Sequence, residues 1–119
     1  MKESGENYLE AIYIIGKKKD GVHALDVAKE LGFSKPSVTR AMGILKKQDF
    51  IQIDEKKHII LTEKGLERAE QIYIRHKTIT QFLTLIKVNE KTADEDACKI
   101  EHIISEETFE KIVEFLKDK

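Results

Sequence analysis

Val22-His23-Ala24-Leu25-Asp26-Val27-Ala28-Lys29-Glu30-Leu31-Gly32-Phe33-Ser34-Lys35-Pro36-Ser37-Val38-Thr39-Arg40-Ala41-Met42-Gly43-Ile44-Leu45 is the stretch whose reading decides the fold of this 119-residue chain. Leu25, Val27, Ala28 and Leu31 make a short amphipathic helix, and Gly32 stops it. Ser34 can cap a second helix, whose first turn tolerates Pro36 because that N–H would be unpaired anyway. Val38, Ala41, Met42 and Leu45 recur at i, i+3, i+4 and i+7, so the second helix also has one apolar face. Two short helices around a glycine-containing turn predict a helix-turn-helix.

The flanks extend that motif. Upstream, Tyr8, Leu9, Ile12, Tyr13 and Ile15 predict an amphipathic helix from about residue 4 to residue 17, with Ser4 as its N-cap. Lys17-Lys18-Lys19-Asp20-Gly21 ends it with positive charge in the last turn and a turn signal. Downstream, Phe50-Ile51-Gln52-Ile53 and His58-Ile59-Ile60-Leu61 read as two strands. Asp54-Glu55-Lys56-Lys57 between them is a connection of hairpin length. A hairpin directly after the second helix of the motif is a wing.

Thr62 then caps a helix of about 25 residues, with Leu66, Ala69, Ile72/Tyr73, His76, Ile79/Thr80, Leu83 and Ile86 on its inward face. Thr92-Ala93-Asp94-Glu95 has the capping-box pattern and predicts the start of another helix. Ser105-Glu106-Glu107 starts a last one, with Phe109, Ile112, Val113 and Leu116 as its stripe. No internal repeat or long linker interrupts the chain. The expected fold is mainly α: a winged helix-turn-helix of three helices plus a β-hairpin wing over residues 1–62, then a helical domain over residues 63–119.

Composition sets limits. Hydrophobic content of 40% and charged content of 36% suit a soluble globular domain. No apolar run reaches the roughly 18 residues of a membrane span. Met1-Lys2-Glu3-Ser4-Gly5-Glu6 lacks the pattern of a signal peptide, and one cysteine cannot form an internal disulfide. A cytoplasmic location without membrane association is therefore expected. Net charge is −1, so a case for nucleic acid must rest on local clusters. Residues 1–64 carry 12 Lys/Arg against 10 Asp/Glu, and residues 65–119 carry 9 against 12. On the exposed face of the second motif helix, Ser34, Lys35, Ser37, Thr39 and Arg40 offer donors to phosphates and base edges. Pro36 and the Thr39 methyl suit thymine methyls. Lys46, Lys47, Lys56 and Lys57 are placed to follow the DNA backbone.

A second constellation is Asp96-Ala97-Cys98-Lys99-Ile100-Glu101-His102. In a helix, Cys98, Glu101 and His102 stand at i, i+3 and i+4, a transition-metal half-site. His76 on the apolar stripe of the long helix, and Asn7 and Glu10 at i and i+3 on the first helix, are the available partners. Taken singly, a buried cysteine is usually a small hydrophobe, a histidine on an apolar face is usually hydrogen-bonded core, and Glu10 is a solvated carboxylate. Their weight lies in flanking one presumed helix contact.

These residues together resemble the diphtheria-toxin-repressor family of iron- and manganese-dependent transcriptional regulators, across nearly the whole chain. The resemblance is carried by Asn7-Tyr8-Leu9-Glu10-Ala11-Ile12-Tyr13, Ser34-Lys35-Pro36-Ser37-Val38-Thr39 and Leu61-Thr62-Glu63-Lys64-Gly65. Arg75-His76, Gln81-Phe82-Leu83 and Cys98-x-x-Glu101-His102 with Ser105 extend it. It implies a homodimeric repressor that binds a palindromic double-stranded operator when its metal is loaded, controls metal-ion homeostasis, and is not an enzyme. The metal ligands it implies are Asn7, Glu10, His76, Cys98, Glu101 and His102.

In that family the position of Asn7 is usually Asp in manganese regulators and Met in iron regulators. Cys98 is typical of the iron branch, where the manganese branch has Glu. Thr80 and Asp94 replace the carboxylate and histidine of the iron branch's ancillary site. In length the chain resembles the short, two-domain members. The thiolate and imidazole donors imply Fe(II) in preference to Mn(II), with Zn(II), Co(II) or Ni(II) able to bind in vitro. The expected dimer interface is Ile103, Ile104, Phe109, Ile112, Val113, Phe115 and Leu116. Alternatives are a Mn(II)-responsive member and a metal-independent winged-helix regulator sensing a small ligand or thiol oxidation at Cys98. The third, a metal-dependent enzyme, has no nucleophile-base pair in the sequence to support it.

Overall fold

Apolar periodicity becomes six helices and one hairpin in the computed structural model, which describes residues 3–119. The order is α1 (Glu3–Lys18), α2 (Ala24–Leu31), α3 (Lys35–Lys47), β1 (Ile51–Ile53), β2 (Ile59–Leu61), α4 (Glu63–Leu85), α5 (Glu90–Ile100) and α6 (Glu106–Lys117). The chain divides into two compact units, Met1–Glu70 and Gln71–Lys119.

The first unit is a winged helix-turn-helix around one core. Leu9, Ile12 and Ile15 of α1 are buried with Val27 and Ala28 of α2, Val38, Met42 and Leu45 of α3, and Ile51 and Ile59 of the hairpin. Gly32 ends α2 at φ 71°, a left-handed conformation that glycine adopts without steric cost. The Ser34 hydroxyl accepts from the Ser37 N–H at 3.3 Å, which makes Ser34 the N-cap of α3. Leu25, expected on the inward face of α2, is half exposed instead. With only eight residues, α2 buries a stripe too narrow to include it.

α1 already includes Glu3, so Ser4 lies inside its first turn rather than at a cap; the Ser4 side chain is outside the described residues. Gly21 turns the chain at φ 74°, and the next residue, Val22, bridges to Ile59 of the wing. The wing pairs antiparallel, Ile51 with Leu61 and Ile53 with Ile59. Asp54 organises its turn by accepting from the Lys56 and His58 N–H groups at 2.9 and 2.8 Å. The Thr62 hydroxyl accepts from the Gly65 N–H at 3.0 Å, capping α4, and donates to the Asp49 carbonyl at 2.7 Å.

In the second unit the buried residues include Ile72 and Ile79 of α4, Ala93 and Ala97 of α5, and Glu101. α5 starts three residues earlier than its capping-box pattern indicated. Asn89 is the N-cap, accepting from the Lys91 N–H at 2.9 Å, so Thr92 is interior. An asparagine cap competes as well as a threonine for the orphan N–H groups. α4 ends at Leu85, so Ile86 leaves the helix and is half exposed, as is Leu66 near its start. Ser105 caps α6 by accepting from the Thr108 N–H at 3.1 Å. α6 is tied to α4 by Phe82 against Phe115, edge to face at 5.7 Å, and by Arg75 over the Phe109 ring at 5.0 Å.

Candidate metal centre and nucleic-acid interface

Within the second unit the structure gathers His76, Asp94, Glu101 and His102. α5 stops at Ile100, so the Cys98, Glu101 and His102 spacing does not lie wholly in a helix. Glu101 is the C-cap, still right-handed helical, with its N–H on the Ala97 carbonyl at 2.9 Å. Its side chain is therefore delivered one turn beyond Ala97 and is fully buried. The Arg75 guanidinium holds the Glu101 main-chain carbonyl at 3.0 Å and reaches toward Glu106 at 3.5 Å, which fixes the turn that carries Glu101 and His102.

His76 lies between two carboxylates. Its Nδ1 is 2.9 Å from Glu101 Oε2 and its Nε2 is 2.7 Å from Asp94 Oδ1. The His102 ring is 1% exposed, and its Nε2 is 3.3 Å from Glu101 Oε1. That separation is within ion-pair reach, yet it lacks hydrogen-bond geometry, so among the described residues buried Oε1 has no hydrogen-bond partner. Burying a carboxylate oxygen without a compensating partner is costly. A buried carboxylate with an imidazole nitrogen facing each of its oxygens offers the oxygen and nitrogen donors that suit a divalent transition metal.

The other expected ligands are placed as follows. Cys98 is exposed on α5, one turn before Glu101. Glu10 is buried on α1 at 7% exposure, and Asn7 is half-buried on the same helix. Asp94 stands in a capping-box pattern and at the altered ancillary position, and neither signals a contact with His76. Its hydrogen bond to His76 went unread because an acid near a helix start ordinarily signals only a favourable dipole.

On the first unit, Ser34, Lys35, Pro36, Ser37, Thr39, Arg40, Lys46, Lys47, Lys56 and Lys57 are all exposed. Lys35 and Thr39 of α3 share a concavity of about 560 Å³ with Lys57 of the wing turn. The start of the second motif helix and the tip of the wing thus border one surface. Lys57 takes φ 66° in a turn set by Asp54. The Asp54 carboxyl is held below its usual range, mainly by the His58 backbone N–H, with further hydrogen bonds from the Lys56 N–H and the His58 ring.

Comparison with known proteins covers both units. A family model described as the iron dependent repressor N-terminal DNA binding domain matches residues 1–59. One described as the iron dependent repressor metal binding and dimerisation domain matches residues 62–118. The HTH-type transcriptional regulator MJ0568 of Methanocaldococcus jannaschii is 38% identical over 119 residues, 98% of this chain and 95% of that protein. The metal-dependent transcriptional regulator MtsR superposes with a TM-score of 0.89 at 26% identity over 98% of this chain. The manganese regulator SloR superposes at 0.85 and 26% identity over 95% of this chain. The match spans 55% of the MtsR chain and 53% of the SloR chain, about half of each.

Proposed function

The chain belongs to the iron dependent repressor family of metal-dependent transcriptional regulators, and on that premise we propose that it is a homodimeric repressor that binds a palindromic operator when loaded with Fe(II). It is not an enzyme. The observation that carries the metal dependence is the fully buried Glu101 carboxylate between His76 and His102, with one oxygen that has no hydrogen-bond partner among the described residues.

His76, Glu101 and His102 would hold the metal, and the sequence pattern adds Cys98, Glu10 and Asn7 to the donor set. A bound divalent cation would supply the positive charge that the buried carboxylate lacks. Arg75 keeps the Glu101 turn in place from the main-chain side. Metal loading and DNA affinity would be coupled, typically by about 1–3 kcal/mol. At the other end, Arg40 and the hydroxyls of α3 would read base edges, while Lys46, Lys47, Lys56 and Lys57 would hold phosphates. A two-fold dimer then sets two α3 helices about one turn of DNA apart.

Fe(II) is assigned on the softness of Cys98. A Mn(II)-responsive regulator is the second reading, favoured by the exposure of Cys98 and by the oxygen and nitrogen donors that do cluster. Anaerobic titration of operator binding against Fe²⁺, Mn²⁺ and Zn²⁺, on a duplex selected from a random pool, tests both. Tightest binding with Fe²⁺ is the expected result, and Mn²⁺ as the stronger activator selects the second reading. Unchanged operator affinity and melting temperature with every metal would overturn both.

A further inference from the structure

His76 is gripped at both ring nitrogens by one chain segment. Asp94 and Glu101 stand seven residues apart along α5 and its C-cap, and the imidazole from α4 reaches both. The two contacts differ in kind. Nδ1 faces the fully buried Glu101, whereas Nε2 faces Asp94, whose side chain is 67% exposed. A ligating imidazole uses one nitrogen for the metal and keeps its proton on the other, and the hydrogen bond at the second nitrogen decides which is which.

We propose that Asp94 is a positioning residue of the metal centre: it accepts the Nε2–H of His76 and so presents the Nδ1 lone pair on the side of Glu101. This inference rests on the metal-dependent reading of the site. It assigns Asp94 no direct bond to the metal. As a surface ion pair the contact would contribute little to folding. Its effect falls on the orientation and basicity of the ligand, where loss of such an outer partner typically costs about 10–100-fold in metal affinity.

The test compares the wild type with Asp94→Ala and Asp94→Glu by Mn²⁺ titration against a competing chelator. It adds the melting temperature of the metal-free protein and the long-range ¹H–¹⁵N NMR pattern of His76 in the Zn²⁺-loaded state. Asp94→Ala is expected to bind Mn²⁺ about 10–100-fold more weakly, with unchanged stoichiometry and metal-free melting temperature. Asp94→Glu restores part of the loss. In the wild type the His76 pattern is that of an Nε2–H tautomer, and in Asp94→Ala that proton exchanges rapidly with water. Equal affinities, a lower metal stoichiometry in Asp94→Ala, or an Nδ1–H tautomer in the wild type would each overturn the inference while leaving metal binding itself intact. A wild-type chain that takes up no Mn²⁺, Fe²⁺ or Zn²⁺ overturns the functional reading instead, and the inference with it.

Discussion

A buried carboxylate without a full complement of partners destabilises a folded chain, and Glu101 is in that position. Glu101→Gln removes the buried charge, so the metal-free variant should melt no lower than the parent, and only the response to metal should be lost. At free metal 100 times the dissociation constant the parent gains about 2.7 kcal/mol. Calorimetry with and without Mn²⁺ reads both effects; a Glu101→Gln protein still stabilised by Mn²⁺ removes Glu101 from the site. Cys98→Glu should shift activation from Fe²⁺ toward Mn²⁺ in the operator assay, since a harder donor suits manganese better. An unchanged metal profile removes the reason for preferring iron. Glu101, His102 and His76 were legible in the sequence because residue type and spacing alone brought a metal half-site and a polar group on an apolar stripe to notice. Asp94 was not legible as a partner of His76, since that contact depends on how α5 lies beside α4.

The wing shows the same division at the level of an element. Alternating Phe50–Ile53, a polar four-residue connection and β-branched Ile59–Ile60 specified a hairpin, and the strands pair as that pattern requires. What the pattern did not reveal is that Asp54 builds the turn. Its folded pKa lies below the ordinary 3.8, first because the His58 N–H bonds the ionised form. The contribution to stability is therefore present above about pH 3.8 and lost as pH falls through the lower folded value. An NMR titration should place the Asp54 midpoint below 3.8, with the His58 amide shift following it; a midpoint at or above the ordinary value contradicts the capping role. At the junction with α4, a Cβ on Gly65 would sit 1.9 Å from the Phe50 carbonyl oxygen. Gly65→Ala must displace backbone, and urea unfolding should show a loss of about 1–3 kcal/mol. The start of α5 differs from its capping-box pattern because Asn89 and Thr92 are both competent caps and only the folded turn after Val88 selects between them.

For the molecule as a whole, α6 carries a clear apolar stripe of which no residue is buried. Phe109, Ile112, Val113 and Leu116 are only half-buried, and Ile103 before the helix is 74% exposed. Those side chains support the proposal of a two-fold partner. Ile103→Asp should sediment as a monomer at concentrations where the parent is a dimer, with helical circular dichroism preserved; a dimeric Ile103→Asp moves the interface elsewhere. By itself, the sequence determined the helices, the wing, most of the caps and the exposed basic face, because these follow from local periodicity, turn chemistry and the alternation of polar and apolar residues. Only tertiary structure decided that Glu101 would be buried between His76 and His102, that Arg75 would hold its main chain, that Val22 would bridge to the wing, and that Asp94 would meet His76. The physical reason is that burial and hydrogen bonding between residues far apart in the chain depend on how the elements pack, which no local pattern encodes.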